Sequence, residues 1–169
     1  MALLEVNNLK IYYPLAKKSL FSNEPQKYVK AVDNVSFKVE QGNVLGIVGE
    51  SGCGKSSLAK GVMRLTPVMS GEILLDGVDI LSLNRKNLKK ERKNFQMIFQ
   101  DPEASLNPRL TVGEIISEPL QVYENLSKKE LRLRVQELMS QVGLSPYMIR
   151  RYPHEFSGGQ RQRICIARS

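Results

Sequence analysis

Residues 3–13, LLEVNNLKIYY, open the chain with an apolar-rich run that predicts a first strand. Residues 14–28 break that pattern. PLAKKSLFSNEPQKY holds two prolines, several lysines and little periodicity, and predicts a surface loop. Alternation follows where Val35, Phe37 and Val39 interleave with Ser36, Lys38 and Glu40, a half-buried strand. Gln41-Gly42-Asn43 turns the chain into Val44–Val48, an apolar run with a glycine inside it. Its length and content predict a buried parallel strand. From Ser56 the sequence SSLAKGVMRL places Leu58, Val62 and Leu65 on one stripe of a helix. Pro67 and Ser70-Gly71 end that helix, and GEILLDG predicts a strand closing in an Asp76-Gly77 turn.

The second half reads differently. Residues 84–93 predict a charged helix, and FQMIFQ (95–100) a short buried strand ending on Gln100. DPEASLNPRL (101–110), with two prolines, predicts a loop. Two capping boxes follow: Thr111 with Glu114 opens one helix, and Ser127 with Glu130 another. The second helix carries Leu131, Val135, Leu138 and Val142 on one face and stops at Gly143. Ser145-Pro146 predicts a further short helix, with Ser as cap and Pro at the first position. Residues 111–153 therefore form a helical unit set into an otherwise α/β chain. It ends in RYPHEFSGGQRQRICIARS, where Ser157-Gly158-Gly159-Gln160 lead an amphipathic run carrying Ile164, Ile166 and Ala167.

The chemistry concentrates between the predicted strand at 44–48 and the helix from Ser56. Gly49, Glu50, Ser51, Gly52, Cys53, Gly54, Lys55 and Ser56 match G-x-x-x-x-G-K-[ST] at every fixed position, with Ser57 following. Glycines there allow successive N–H groups to face one concavity that takes phosphate oxygens. The helix N-terminus adds open donors and partial positive charge. Lys55 would reach the β- and γ-phosphates, and the Ser56 hydroxyl would ligate Mg²⁺. Cys53 is open to two readings, a thiol acidified near a helix N-terminus or, the favoured one, a small residue filling a tight loop. Asp76, behind Ile73-Leu74-Leu75, resembles a Mg²⁺-binding carboxylate, but the Asp-Gly pair makes it a turn residue. Ser157, Gly158 and Gly159 at a helix start form a second anion site by the same logic; a capped helix is the alternative.

Composition narrows the setting. With 169 residues the chain can bury one sizeable core. No apolar run approaches bilayer length and no signal peptide heads the sequence, so a membrane role is expected to be peripheral. The two cysteines, Cys53 and Cys165, lie in unrelated motifs, which fits a reducing cytosol. A net charge of +8 raises nucleic acid as a partner, but the cations are dispersed, with few aromatics among them to stack bases. A solvated face, or a surface for phosphate and partner, accounts for them better.

With both glycine motifs in view, the sequence resembles the nucleotide-binding subunit of ABC transporters. FSGGQRQR looks like the family's signature, with Phe156 in place of the commonest leucine, and Gln100 matches its Q-loop. GESGCGKSS, QMIFQDPEASLNPRLTVGEII and RYPHEFSGGQRQR look like the oligopeptide/dipeptide (and nickel) importer subfamily. The resemblance implies an α/β fold with three parts: a P-loop NTPase core, an antiparallel β subdomain and an inserted α-helical subdomain. The C-terminal part of the core is expected to be missing. One ATP-binding domain would span 1–169, truncated before Walker B. Residues 1–100 would hold the β subdomain and P-loop core, 101–156 the Q-loop exit and helical subdomain, and 157–169 the signature.

It further implies ATP and Mg²⁺ as ligands. Gly49–Ser57 would hold the triphosphate, and Gln100 would touch Mg²⁺ and the attacking water. Ser157 and Gly159, with Gly158 and Gln160 beside them, would close on nucleotide bound to a second protomer. An aromatic near the N-terminus stacks on adenine in such proteins; Tyr13 is chosen by its distance from the start of the first strand, with Tyr12 and Tyr28 as rivals. Glu103 stands where the subfamily often has an aromatic. His154 precedes the signature, so it is not the switch histidine, and a structural, hydrogen-bonding role is expected. The implied partners are a second ATP-binding subunit, two transmembrane permease subunits and, indirectly, a substrate-binding protein. The implied place is the cytoplasmic face of the inner membrane. Without Walker B, the catalytic Glu and the switch histidine, the chain alone is expected to bind ATP and turn it over poorly. A non-catalytic nucleotide-binding fragment is one alternative. A DNA-repair type ABC ATPase is another, though no sustained heptads separate Gln100 from the signature.

Overall fold

The computed structural model describes residues 2–16 and 25–169, in two compact units that divide after Glu91. In the first unit four strands, β1 (Ala2–Pro14), β2 (Tyr28–Glu40), β3 (Ser70–Leu75) and β4 (Val78–Asp79), form one antiparallel sheet in the order β2-β1-β3-β4. β2 begins seven residues before the alternation at Val35 announces it. Two bulges explain why. Leu9 pairs with Val35 and Ile11 with Val32, while Val6 pairs with Phe37, so each strand carries one extra residue in turn. Asn8 and Asn34 take up those residues at φ 49 and 59, a conformation Asn tolerates. The inward set thus shifts phase between Val32 and Val35, and a period-2 reading loses the strand. The predicted loop is correspondingly short: Leu15 N–H donates to Lys27 O at 2.9 Å, and residues 17–24 lie outside the described residues.

β3 and β4 form a tight hairpin with Leu75 opposite Val78. Asp76 and Gly77 both have positive φ, 48 and 76, as a two-residue type I′ turn requires, and Asp76 N–H donates to Leu3 O at 2.8 Å. Asp76 is therefore a turn residue. Two helices accompany the sheet, α1 (Lys55–Val62) and α2 (Arg85–Glu91). Leu58 of α1 joins Val6, Leu9, Ile11, Val32, Ile73 and Ile80 in the core. Gly61 sets the distance of approach, since a Cβ there would lie 2.2 Å from Ile11 Cδ1.

Two predicted strands do not form. Val44–Val48 and Phe95–Gln100 make no ladder with any described strand. Val44 and Val48 are 96% and 93% exposed, and Ile98 and Phe99 are about half and two-fifths exposed, at 51% and 42%. A parallel strand exists only where a neighbour supplies the ladder, and neither segment has one among the described residues.

The second unit is helical: α3 (Pro102–Ser105), α4 (Val112–Tyr123), α5 (Lys128–Gln141) and α6 (Gly158–Arg168), with 3₁₀ turns at Pro146–Arg150 and Pro153–Glu155. α3 interrupts the predicted loop at 101–110. Asp101 caps it, accepting from Glu103 and Ala104 N–H at 2.8 and 3.3 Å, with Pro102 at the first position. Both predicted capping boxes form, and α5 ends on Gly143 at φ 71. The short helix after Ser145 is a 3₁₀ turn, and the Ser145 side chain makes no cap hydrogen bond. Val112, Ile115, Ile116, Val135, Met139, Leu144, Phe156 and Ile164 build the core of this unit.

Candidate functional site

The helix starts differ in chemistry. α4, α5 and α6 are each closed by a reciprocal box: Thr111–Glu114, Ser127–Glu130 and Ser157–Gln160. In the first two, hydrogen bonds from the cap residue stabilise the charged acid. Thr111 holds the Glu114 carboxyl below its ordinary range, mainly through its N–H, and Ser127 holds Glu130 down through hydroxyl and N–H. α1 is the exception. Its cap is Gly54, which offers no side chain, and its first turn has no acidic residue, so its leading N–H groups are left for a ligand.

The loop before α1 is built to bring that end forward. Gly54 sits at φ 101 and ψ 0 with its Cα pressed against β2; a Cβ would lie 2.2 Å from Ala31 O. Gly49 is less crowded, since a Cβ there would meet only the Cys53 side chain, at Sγ 2.7 Å away, whereas Gly52 faces open space. The Lys55 ammonium lies inside the loop, donating to Gly49 O at 2.7 Å and Glu50 O at 2.6 Å, with Cys53 Sγ at 3.5 Å. The loop is thereby wrapped around a cation. Cys53 is exposed. Ser51 and Ser56 are also exposed, and the Ser56 hydroxyl has no hydrogen-bond partner among the described residues.

The three candidate tyrosines separate. Tyr13 donates to Ser57 Oγ at 3.4 Å and accepts from Thr66 at 3.5 Å, which places it beside α1. Those two hydroxyls, Ser57 more than Thr66, hold its phenol below the usual value. Tyr12 instead donates to Asp33 at 2.5 Å, lies 6.4 Å from the Tyr28 ring and sits under Lys30. Thr66 carried no signal in the sequence, because only the fold brings it to Tyr13.

In the second unit Gln100 is exposed immediately before the Asp101 cap of α3. Ser157 Oγ accepts from Gln160 N–H at 3.4 Å and Ser157 N–H donates to Gln160 Oε1 at 3.0 Å, which leaves the hydroxyl proton of Ser157 unused. Gly158 and Gly159 face open space. His154 makes no side-chain hydrogen bond among the described residues; it stacks on Tyr152 at 5.8 Å, so its expected hydrogen-bonding role is replaced by a ring contact. The basic run at 161–168 is only partly a solvated face: Arg163 is exposed, while Arg161 and Arg168 are half-buried. Arg161, Arg163 and Arg168 all donate to protein oxygens of the same unit.

An uncapped helix behind a glycine loop closed on a lysine, together with the SGGQ helix start, matches one family across most of the sequence. The profile of the ABC transporter family covers residues 32–169. The chain belongs to the ABC transporter family. It is 54% identical over 169 residues to the oligopeptide transport ATP-binding protein OppF of Haemophilus influenzae, covering 99% of this chain and 51% of that protein. It is 46% identical to the dipeptide transport ATP-binding protein DppF of Escherichia coli, covering 98% of this chain and 49% of the relative. The chain thus spans about half the length of the curated ABC relatives it matches. Among solved structures it resembles a dimeric post-hydrolysis state of the ATP-binding cassette MJ0796 bound to ADP and Pi. The TM-score is 0.82 and the identity 28%, over 98% of this chain and 68% of that one. The fold is accordingly that of an α/β ABC ATPase cassette.

Proposed function

We propose that the chain is the nucleotide-binding part of an ATP-binding subunit that energises an ABC importer of peptides (or nickel). The observation that carries this is the contrast between α1, left uncapped behind a loop closed on Lys55, and the capped starts of α4, α5 and α6. Gly49, Glu50, Ser51, Gly52, Cys53 and Gly54 supply backbone donors around the phosphates, and the N–H groups of Lys55, Ser56 and Ser57 complete the cradle. Lys55 exchanges its loop carbonyls for phosphate oxygens, a stronger charge-assisted bond. Tyr13, held on Ser57, provides the ring for adenine. The free Ser56 hydroxyl fits a hard oxygen ligand, and with Gln100 it would hold a Mg²⁺ ion, which neutralises phosphate charge when bound.

Ser157, Gly158, Gly159 and Gln160 serve a second ATP-binding subunit's nucleotide, with the Ser157 hydroxyl proton as donor. The relatives named for oligopeptide and dipeptide transport support the peptide reading. The segments 1–100, 101–156 and 157–169 take the core, partner-facing and signature roles. Two permease subunits and a binding protein complete the importer on the cytoplasmic face of the membrane. No helix among the described residues is long and apolar enough to cross a membrane. The compact α4–α5 unit speaks against a DNA-repair ATPase with a long coiled coil. Residues 1–169 alone bind ATP and release phosphate slowly, because Glu103, Glu114 and Glu118 fall in the segment and helix assigned to a partner and are poor substitutes for a catalytic carboxylate.

Titration of residues 1–169 with a fluorescent ATP analogue tests the reading. Lys55→Ala weakens triphosphate binding at least tenfold, as loss of a charge-assisted contact worth about 1.5–3 kcal/mol implies, and leaves adenosine binding nearly unchanged. Equal triphosphate affinity in wild type and variant would refute it.

A further inference from the structure

We propose that Glu103 and Arg161 are positioning residues that make the segment leaving Gln100 and the start of the signature helix move as one body. This rests on the reading that Gln100 and Ser157–Gly159 both meet nucleotide. The Arg161 guanidinium is pinned in two directions. Its Nε–H donates to Pro153 O and Phe156 O, each at 3.0 Å, which holds the turn immediately before Ser157. Its Nη1 donates to the Glu103 carboxylate in α3, and only a fifth of the Arg161 side chain is exposed. α3 is itself stiff, since Asp101 caps it and Ser105 Oγ donates back to Asp101 O at 2.6 Å. Two residues therefore separate Gln100 from Glu103, inside a closed turn. Arg168, at the far end of α6, donates to Ser105 O at 2.6 Å and makes a second tie between the same two helices. With two attachments about two helical turns apart along α6, α3 resists both translation and rotation on α6. A shift at Gln100 is then passed to Ser157 as a rigid displacement.

Hydrogen exchange on residues 1–169 tests this, with Glu103→Ala as the principal variant because Glu103 is exposed enough to be dispensable for folding. Amides at 153–160 are expected to exchange about threefold faster in Glu103→Ala, the scale of one solvent-accessible ion pair. Salt separates an ionic tie from a packing effect. In 1 M salt the wild type rises to the Glu103→Ala rate, while the variant does not move. Arg161→Lys keeps the charge but loses the fork, so it exchanges faster still, and adding Glu103→Ala changes nothing further. Acceleration confined to 101–106, or a wild type insensitive to salt at 153–160, would overturn the proposal. Nucleotide titration of Glu103→Ala runs in parallel and should match wild type. If the wild type fails to bind nucleotide, the functional reading falls, and the exchange data still decide whether the two helices are tied.

Discussion

Replacing Gly54 with alanine separates the geometry of the phosphate loop from its composition. The residue stands at φ 101, ψ 0, and a Cβ on it would lie 2.2 Å from the carbonyl oxygen of Ala31 in β2. The backbone conformation alone costs an L-residue about 1–3 kcal/mol. Relieving the overlap requires the loop and β2 to part by more than an ångström, and strain of that kind in packed structure adds about 1–3 kcal/mol. Gly52→Ala is the matched control: at φ 84 it carries the backbone cost, but its Cβ points into open space. Gly54→Ala should therefore be the more destabilising of the two by about 1–3 kcal/mol. It should also bind a fluorescent ATP analogue more weakly than Gly52→Ala, because the displaced loop carries the first N–H groups of α1 away from the phosphates. Urea unfolding followed by tyrosine fluorescence gives the first quantity and titration the second. Equal unfolding midpoints and equal affinities for the two variants would refute the packing argument and leave only dihedral strain.

Acid should loosen α4 and α5 first at their starts. The folded carboxyls of Glu114 and Glu130 lie below the ordinary range, so their stabilisation is complete above the unfolded value of about 4.3 and disappears as pH falls through the folded values. Helical circular dichroism between pH 6 and 2.5 checks this, and Glu114→Gln with Glu130→Gln should flatten that part of the profile. The uncovered Val44–Val48 run is an association hazard. Val44→Lys with Val48→Lys should raise the solubility of residues 1–169 while moving stability by less than about 0.5 kcal/mol, measured by light scattering and thermal unfolding.

The sequence by itself determined what depends on neighbours along the chain. The capping boxes at Thr111 and Ser127, the Asp76-Gly77 turn and the glycine loop around Lys55 each close through hydrogen bonds or dihedrals spanning a few residues. Residue type at fixed spacing is sufficient there, and the same locality made the family legible. Tertiary structure decided whatever needed a partner from far away. Whether Val44–Val48 and Phe95–Gln100 become strands depends on a ladder that their own apolar side chains cannot supply. The paired bulges at Asn8 and Asn34 belong to the register between two strands, so β2 was invisible over its first seven residues. That Tyr13, rather than Tyr12 or Tyr28, lies beside α1 was decided by which side of β1 meets that helix. The arginines of α6 gave the same signal in sequence as a solvated cationic face. Only packing showed Arg161 and Arg168 half-buried on protein oxygens, because the oxygen that accepts from a guanidinium can lie, as in the Arg168–Ser105 tie, 63 residues away along the chain.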